Sequence, residues 1–577
     1  MESKKINDGI RGNTIVQNFL EQVARAPKAT AINWKESGKW KSLDYSELAE
    51  EVSKVVTGLQ SNGLSRNDKV ILMVKNRFEF HVVDLAILFV GAIPVSVYNS
   101  YSAEQIVQVG TTTEAKMAVI GESFLKTFTD AKKSLPNISC VVAVGENNEH
   151  SDISYSELSQ FESSDLAAMS EKVTQEDIAT LIFTSGTTGE PKGVVLDHKN
   201  ISSTVASLRE LLQLEEYVGT KMISYLPMAH IAERMVSHYV GLLSGFELTC
   251  CPNALLVAEY AKEVKPNILF GVPRVYEKIY SKIQAALVGG NKNQTGFKKV
   301  KSELLAKIKV KFLSHKIREK VGLDELIIAV SGGAAISPEI MGWFRSIGVP
   351  LSEIYGLSET SGPLNWHPLE VKVGSVGPAI PGAEVKLADD GEVICRGDNI
   401  FRGYFNEPIK TKEVLDSDGW FSTGDIGEID SDGYLSIVDR KKEIIVTSGG
   451  KNVAPVAIEN TLKMIPFISQ AMVVGDDRQY LTAIVTLEEE EATSWAKSQG
   501  LEFETLEELA ESKSGVSKIT KEIKTVMDTY SAIEKIKKVH VEPTEWEIDS
   551  ELITPTSKLK RRAILAKYSD EIEAMYN

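Results

Sequence analysis

The chain has 577 residues, of which 43% are hydrophobic, and this length exceeds what one hydrophobic core usually supports, so we expect two or more domains. Its 80 acidic and 64 basic residues give a net charge of −16, which argues against a dedicated nucleic-acid-binding protein. The cysteines, Cys140, Cys250, Cys251 and Cys395, are too few and too scattered for a disulfide framework or a zinc site, and they fit a reducing cytosol.

The N-terminal residues favour a cytoplasmic protein. Residues 1–10 lack the apolar core of a secretory signal and are not arginine-rich like a transit peptide. The most apolar run, Leu85–Val95, follows Asp84 and contains Pro94, and it falls short of the roughly 20 residues that a spanning helix needs. We expect it to form a buried helix and a strand. Any membrane contact would then be peripheral, and the sequence leaves that contact open.

Helical patterns alternate with short apolar strands through most of the chain. Residues 48–59 have helical spacing, and residues 69–74 and 117–120 are typical of buried strands. A second series includes strands at 267–270 and 325–330, each followed by turn residues. This layout predicts two doubly wound α/β units, whose ligands would lie at the carboxyl ends of the strands.

Turns become denser between residues 376 and 438, which predicts a small β subdomain. Beyond residue 443 the pattern is again mixed, with strands predicted at 470–475 and 481–487. The fold class is therefore α/β. Its predicted parts are a large N-terminal region, residues 1–441, with two doubly wound subdomains and the β subdomain, and a smaller α/β domain, residues 442–577. Residues 289–296 are interpreted as a surface loop.

The segment Thr184–Gly193, with the sequence TSGTTGEPKG, lies between two predicted strands and has the composition of a phosphate-binding loop. Its glycines permit positive φ and close backbone approach, its hydroxyls add donors, and Lys192 supplies a mobile positive charge. The pattern of a P-loop NTPase is absent, because glycine follows Lys192. From composition alone, an ordinary surface turn stays the alternative.

The same segment resembles the phosphate loop of the AMP-forming acyl- and aryl-CoA synthetases, the adenylate-forming superfamily. Six further motifs resemble that family in its own order, namely Leu226–Arg234, Ser331–Ser337, Tyr355–Thr360, Gly419–Asp425, Asp439–Glu443 and Thr554–Arg561. The resemblance spans roughly Val16 to Arg562. Within the superfamily, Gly271–Lys278 and Asp418–Glu428 are most similar to the long-chain fatty acyl-CoA synthetases.

This resemblance implies a two-step reaction with fatty acid, ATP and coenzyme A as substrates and Mg²⁺ as cofactor. The fatty acid carboxylate would attack the α-phosphate of ATP and release pyrophosphate, and the CoA thiol would then attack the acyl adenylate. The products would be fatty acyl-CoA and AMP, with no protein cysteine as nucleophile. No nucleic-acid partner is implied.

The resemblance also implies a role for particular residues. The catalytic residues would be Lys558, which offsets charge repulsion during adenylation, Ser358, which contacts the α-phosphate, and Glu359, which binds the metal. The nucleotide would contact Thr184, Ser185, Gly186, Thr187, Thr188, Gly189, Lys192, Gly332, Gly333, Ala334, Tyr355, Gly356, Asp425 and Arg440. Among these, Tyr355 would stack on adenine and Asp425 would accept hydrogen bonds from the ribose hydroxyls.

In this family the C-terminal domain is mobile and rotates between the two steps. Lys442 lies at the position of the hinge, and Gly449 would shape the tunnel for the pantetheine arm of CoA. His230 would gate the junction of the acyl and pantetheine paths. Many members place glycine directly before the adenylation lysine, whereas this chain has Ser557.

Each of these residues has a plainer interpretation as well. Glu359 would be a solvated surface group, Asp425 a turn cap, Tyr355 a core residue, Lys558 part of an exposed basic cluster, and His230 a structural histidine. Arg440 would pair with Asp439 or with a surface glutamate. At the level of function, the alternatives are an acyl-AMP ligase that loads a carrier protein and a non-catalytic nucleotide- or lipid-binding homologue. The sequence leaves acyl length, oligomeric state and pathway undetermined.

Overall fold

The computed structural model of the chain describes residue 6 and residues 13–146, 149–184, 191–213, 217–289, 314–547, 550–554 and 557–577. Strands and helices alternate through most of this length, and the predicted α/β fold is confirmed. Two eight-stranded sheets carry the N-terminal region, and smaller sheets follow them.

The first eight-stranded sheet is mostly parallel and contains the second predicted series of strands. Its strands in spatial order are Gly362–Asn365, Leu351–Leu357, Ile328–Gly332, Ile268–Gly271, Lys221–Ser224, Glu247–Cys250, Thr30–Glu36 and Lys39–Asp44. Only the two edge strands pair antiparallel with their neighbours. The strand predicted from residue 325 begins three residues later than expected, at Ile328.

The second eight-stranded sheet includes both strands that flank the glycine-rich segment. Its strands in spatial order are Gly403–Tyr404, Lys192–Asp197, Ile178–Thr184, Ile93–Ser96, Lys69–Met73, Met117–Gly121, Cys140–Val144 and Ile153–Ser154. The apolar run Leu85–Val95 is the helix Phe78–Val90 and the following strand, as predicted. Nearly every residue of that helix is buried, which explains why its apolar residues are not confined to one face.

The predicted β subdomain is an antiparallel sheet of four strands. In spatial order they are Glu384–Leu387, Glu392–Arg396, Phe421–Ile429 and Leu435–Arg440. The C-terminal part has a two-stranded ribbon, Ile445–Val446 with Asn452–Val453, and a three-stranded sheet. The strands of this sheet are Ile468–Val474, Leu481–Leu487 and Ile536–Glu542.

Helices pack on the sheets and supply their connections. Up to residue 250 they are Ile15–Arg25, Tyr45–Ser61, Phe78–Val90, Ala103–Thr113, Leu125–Lys132, Tyr155–Leu158, Leu166–Ser170, His198–Leu212, Ile231–Glu233 and Leu242–Ser244, with a π-helical stretch at Arg234–Gly241. Beyond it they are Val257–Val264, Pro273–Gly289, Pro338–Ser346, Pro408–Val414, Pro455–Leu462, Glu489–Ser498, Leu506–Glu511, Lys513–Val526, Arg561–Lys567 and Ser569–Tyr576. Short 3-10 turns lie at Glu122–Phe124, Ala254–Leu256 and Ser358–Thr360. Gly289 ends a helix rather than beginning the predicted surface loop, and residues 290–296 lie outside the described residues.

One continuous hydrophobic cluster joins the two large sheets, with Leu72 from one and Met222 from the other. The C-terminal part has a core of its own, which includes Ile458 and Val485. The domain boundary at 441/442 stays a prediction. All four cysteines are buried and free. In the part of the chain that the structure describes, no helix combines the length and apolar character needed to span a bilayer.

Candidate active site

The two strands predicted on either side of the glycine-rich segment are confirmed, and they pair antiparallel. Thr184 ends one strand and is the register partner of Lys192, which begins the next. Ser185, Gly186, Thr187, Thr188 and Gly189 lie outside the described residues. The Lys192 ammonium lies 4.8 Å from the centre of the Tyr404 ring, an arrangement that stabilises a cation on an aromatic face.

The same tyrosine contacts the predicted metal ligand. Strand Leu351–Leu357 ends in the short turn Ser358–Thr360, which presents both Ser358 and Glu359 at the carboxyl end of the sheet. The Tyr404 hydroxyl donates a hydrogen bond to Glu359 Oε1 at 2.9 Å. Lys192, Tyr404 and Glu359 are therefore brought together from two strands and a turn.

The glycines of the predicted nucleotide site are explained in part by the packing of the protein itself. A Cβ on Gly332 would lie 2.6 Å from Ile354 Cγ2, and one on Gly356 would lie 1.8 Å from the carbonyl oxygen of Gly362. Gly333 has φ +85°, which favours glycine. Gly333 and Ala334 follow strand Ile328–Gly332, and Ala334 is exposed at its carboxyl end.

Tyr355, Asp425 and Arg440 form one hydrogen-bonded group. The Tyr355 hydroxyl donates to Asp425 Oδ2 at 2.5 Å, and Arg440 Nε lies 2.7 Å from Asp425 Oδ1. Burial raises the pKa of the Asp425 carboxyl, and the Arg440 charge opposes that rise. The plainer interpretation of Arg440 as a side-chain partner of Asp439 is wrong, since its guanidinium pairs with Asp425; its backbone N–H donates to Asp439 Oδ1 instead.

Lys558 projects from the C-terminal part toward the same group. The Lys558 side chain is exposed to solvent. The protein atoms around its ammonium nevertheless displace part of the surrounding water, and this desolvation lowers the pKa of Lys558 to about 8. The charge of Arg440 lowers that pKa further, whereas Asp425, Glu443 and Glu359 raise it. The Lys558 ammonium therefore lies within electrostatic range of these four side chains. The solvent-accessible space around the Lys558 ammonium is called the cleft below.

His230 also lies near Lys558. Its Nδ1 accepts a hydrogen bond from the backbone N–H of Ala232 at 3.2 Å, which caps the short helix Ile231–Glu233. Burial lowers the pKa of His230 to about 3, and the Lys558 charge adds to that effect. The ring is therefore neutral at physiological pH. His230 thus caps a helix and also lies beside the predicted site.

The predicted hinge residue, Lys442, and the predicted tunnel residue, Gly449, both lie at the surface. Lys442 is exposed directly after strand Leu435–Arg440 and its neighbour Lys441. Gly449 lies in the exposed turn of the two-stranded ribbon, where an added Cβ would meet Thr447 Oγ1 at 3.9 Å. The turn is thus open toward solvent in this orientation of the C-terminal part.

The donor set fits Mg²⁺ bound through substrate phosphates rather than a metal enclosed by protein. Among the residues that the structure describes, no three His, Cys, Asp or Glu side chains cluster as metal ligands. Glu359 offers one carboxylate, oriented by Tyr404, beside the strand that begins with Lys192. Mg²⁺ commonly binds proteins through one or two carboxylates and takes its other ligands from phosphates and water.

Known protein families match nearly the whole chain. The family model described as AMP-binding enzyme matches residues 19–405, and the one described as AMP-binding enzyme C-terminal domain matches residues 442–577. The chain is an AMP-binding enzyme. It belongs to the adenylate-forming superfamily, and the resemblance drawn from the sequence motifs is confirmed.

Curated relatives of this AMP-binding enzyme come from bacteria and vertebrates. The putative fatty-acid-CoA ligase fadD11 of Mycobacterium tuberculosis is 38% identical over 427 residues, which cover 70% of this chain and 74% of the relative. The long-chain-fatty-acid-CoA ligase FadD15 of Mycobacterium bovis is 32% identical, covering 94% and 93%. The long-chain-fatty-acid-CoA ligase ACSBG2 of Xenopus laevis is 30% identical, covering 98% and 84%.

Solved structures agree with the fold of this AMP-binding enzyme. The adenylation domain of a carboxylate reductase from Mycobacterium chelonae superposes with a TM-score of 0.79 at 20% identity, covering 99% of this chain and 93% of that one. The anthranilate CoA ligase AuaEII, in complex with anthranoyl-AMP, gives a TM-score of 0.75 at 19% identity and covers 98% of both chains. At these identities the likeness concerns the fold alone.

Sequence reasoning missed three features around the site. Tyr404 follows a glycine in a short edge strand, and nothing in its sequence context indicates a contact with Glu359. The contacts of Arg274 and Glu277 with the C-terminal part join residues far apart in sequence. A fully buried group also joins Asp84 to Arg234 and His238, although Asp84 had been noted only as the boundary of an apolar run. The charge of Asp84 directly before the apolar run Leu85–Val95 was the sequence signal that could have indicated this buried group.

Proposed function

We propose that this AMP-binding enzyme is a long-chain fatty acid-CoA ligase that forms AMP. The observation that carries the proposal is the convergence of Lys558, Arg440 and Glu359 on one cleft, because fatty acid activation requires cations and a metal ligand around two reacting anions. The names of relatives that match over most of this chain support the substrate class.

In the first step, the carboxylate of the fatty acid attacks the α-phosphate of ATP, and pyrophosphate leaves. The Lys558 ammonium reduces the repulsion between the two anions and stabilises the charge that develops on the transferring group. The Ser358 hydroxyl donates to an α-phosphate oxygen from the turn that also carries Glu359. Glu359 would hold Mg²⁺, which supplies charge neutralisation on the phosphates when bound.

The nucleotide binds along the edge formed by Tyr355, Asp425 and Arg440. The Tyr355 ring stacks on adenine, and Asp425 accepts hydrogen bonds from the ribose hydroxyls. Arg440 donates toward the ribose and the phosphates. Lys192, Thr184 and the rest of the glycine-rich segment bind the other phosphates, with Gly332, Gly333, Ala334 and Gly356 allowing the nucleotide to approach the backbone.

In the second step, the CoA thiol attacks the carbonyl carbon of the acyl adenylate, and AMP leaves. The C-terminal domain, residues 442–577, rotates about Lys442, which withdraws Lys558 and brings the turn with Gly449 to the cleft. Gly449 lacks a side chain and leaves room for the pantetheine arm of CoA. The neutral ring of His230 lies where the acyl and pantetheine paths meet. The four free, buried cysteines accord with a cytosolic location and with a protein that uses no thiol of its own.

Product analysis with palmitate tests this proposal. Purified protein, ATP and Mg²⁺ are incubated with CoA, with a carrier protein, or with neither, and thioester, AMP and enzyme-bound adenylate are measured. We expect palmitoyl-CoA and AMP in equal amounts with CoA alone. Adenylate that is transferred to the carrier protein but not to CoA would contradict the proposal and indicate an acyl-AMP ligase. Absence of adenylate with palmitate and with shorter or aryl acids would exclude both enzymes.

A further inference from the structure

The motif Gly271–Lys278 contributes two charged side chains to the contact between the N-terminal region and the C-terminal part. Helix Pro273–Gly289 begins within this motif, directly after strand Ile268–Gly271. Arg274 and Glu277 are three residues apart near the beginning of this helix, so they share one face of it. Proline at the first helical position fixes where that turn begins.

Arg274 makes the denser of the two sets of contacts. Its Nη2 donates to Ser469 Oγ at 2.6 Å and lies 3.1 Å from both carboxylate oxygens of Glu545, while Nη1 donates to the Ser469 carbonyl at 3.1 Å. The Arg274 side chain is 18% exposed. Guanidinium contacts of this kind combine charge with fixed geometry, so they define an orientation better than an exposed lysine would.

Glu277 pairs with a lysine of the opposite domain. Its Oε1 lies 3.1 Å from Lys463 Nζ, with the Glu277 side chain 13% exposed and the Lys463 side chain 24% exposed. Partial burial reduces screening by water and salt, so this pair contributes more than a surface pair does. Here the N-terminal region supplies the acidic partner, whereas in the Arg274 contact it supplies the basic one. Exchanging the charges of Glu277 and Lys463 tests this pair directly.

A short series of contacts leads from Lys463 to the loop of Lys558. Lys463 directly follows helix Pro455–Leu462, and Glu459 on that helix accepts a hydrogen bond from Arg561 Nη2 at 2.6 Å. Arg561 stands three residues after Lys558 and also pairs with Glu443 at 3.2 Å. Glu277 thus pairs with the residue that follows this helix, and Glu459 on the same helix binds Arg561, close in sequence to Lys558.

We propose that Arg274 and Glu277 are positioning residues that fix the C-terminal part in the orientation that places Lys558 in the cleft. This inference rests on the proposed function, since it assigns these residues to the adenylation step. Neither residue contacts substrate or nucleotide in the proposed reaction, and both act through Lys558. Neutral contacts beside them, such as Asn460 Nδ2 with the Ala335 carbonyl at 3.4 Å, pack the same interface without charge.

Charge exchange at the second pair tests the inference. Glu277→Lys, Lys463→Glu and the double variant are compared with wild type in two half-reactions, adenylation by ATP–pyrophosphate exchange and thioester formation from preformed palmitoyl adenylate. We expect each single variant to lose about ten-fold in adenylation and less than about two-fold in thioester formation, and the double variant to recover most of the loss. Equal losses in both half-reactions, or a folded double variant that does not recover, would overturn the inference.

A second readout separates this inference from the proposed function. Hydrogen exchange of the backbone amides in residues 455–470 needs no substrate. We expect faster exchange in each single variant and wild-type exchange in the double variant. If exchange changes in this way but wild type does not activate palmitate, the contact is supported and the fatty acid assignment is rejected. Unchanged exchange in the single variants would reject the contact even if wild type activates palmitate.

Discussion

Asp425 and Arg440 are direct partners on neighbouring antiparallel strands, and their side chains form an ion pair at 2.7 Å. The β subdomain thereby presents a fixed carboxylate and a fixed guanidinium at the edge of the cleft. Asp425 is almost fully buried, whereas the Arg440 side chain is 46% exposed. This arrangement leaves the guanidinium open to a ligand while its partner holds it in place.

The ion pair predicts that Asp425→Asn weakens nucleotide binding. The substitution removes the charge that holds Arg440 and changes the acceptor for the Tyr355 hydroxyl. Loss of such charge-assisted contacts costs about 2 kcal/mol, so we expect the Kd for ATP to rise about 30-fold. Calorimetry measures it, with Tyr355→Phe as the control that removes only the hydroxyl. An unchanged Kd in Asp425→Asn would refute the assigned ribose contact.

The hydrogen bond from Tyr404 to Glu359 predicts a defect in metal binding for Tyr404→Phe. This variant keeps the ring beneath Lys192 and loses only the donor that orients the carboxylate. Partners of metal ligands typically contribute 10- to 100-fold in metal affinity, so we expect about a ten-fold higher Mg²⁺ requirement for ATP binding. Titration of Mg²⁺ against binding of a fluorescent ATP analogue checks this. A normal Mg²⁺ curve would mean that Glu359 is oriented by other contacts.

The lowered pKa of Lys558 predicts a pH dependence for adenylation. The ammonium is the active form, and it is lost as the pH rises through its pKa of about 8. We therefore expect kcat/KM for ATP–pyrophosphate exchange to fall above about pH 8. Lys558→Arg should move that fall to higher pH, because arginine keeps its proton. Lys558→Ala should lose about 100- to 1,000-fold in adenylation and keep thioester formation from preformed adenylate.

Ser557 stands where many members of the superfamily have glycine, and its backbone has φ +61°. A side chain in this left-handed region costs about 1 kcal/mol, so we expect Ser557→Gly to support adenylation at least as well as wild type. Ser557→Val should lower the rate, since branching at Cβ makes this conformation worse. ATP–pyrophosphate exchange is measured in parallel for wild type, Ser557→Gly and Ser557→Val. Equal losses in both variants would mean that the hydroxyl itself contributes.

His198 predicts a loss of stability in mild acid. Its buried Nδ1 accepts a hydrogen bond from the Ile15 N–H, and burial lowers its pKa from 6.5 to about 4. Below pH 6.5 the unfolded chain gains a proton that the folded chain does not, so stability falls as the pH falls toward 4. The contribution is about 2 kcal/mol at pH 5. Urea unfolding at pH 7 and pH 5 should show a smaller pH effect in His198→Asn than in wild type.

The fold followed from local pattern where that pattern was strong. Strands such as Met117–Gly121 are continuous apolar runs bounded by turns, because a parallel sheet is covered on both faces. The beginning of strand Ile328–Gly332 was predicted too early, because the apolar residues Leu326 and Ile327 extend the pattern without joining the strand. Hydrogen bonding between strands, which sequence does not display, sets that boundary.

The site was predicted through motif resemblance, and its contacts were not. Tyr355, Asp425 and Arg440 each had a plainer interpretation as well. The Asp425–Arg440 pair depends on strand register, and the Tyr355–Asp425 hydrogen bond forms only because strands of two sheets meet. The pairing of Glu277 with Lys463 joins positions 186 residues apart. Such contacts depend on how domains pack, and no local propensity encodes them.

In the proposed reaction, a fatty acid carboxylate attacks the α-phosphate of ATP in the cleft around Lys558. Palmitate labelled with ¹⁸O in both carboxylate oxygens tests it, because one of those oxygens stays on phosphorus when the CoA thiol displaces AMP. We expect mass spectrometry to find one ¹⁸O in the AMP released with palmitoyl-CoA. Unlabelled AMP, or label in ADP or inorganic phosphate, would contradict it.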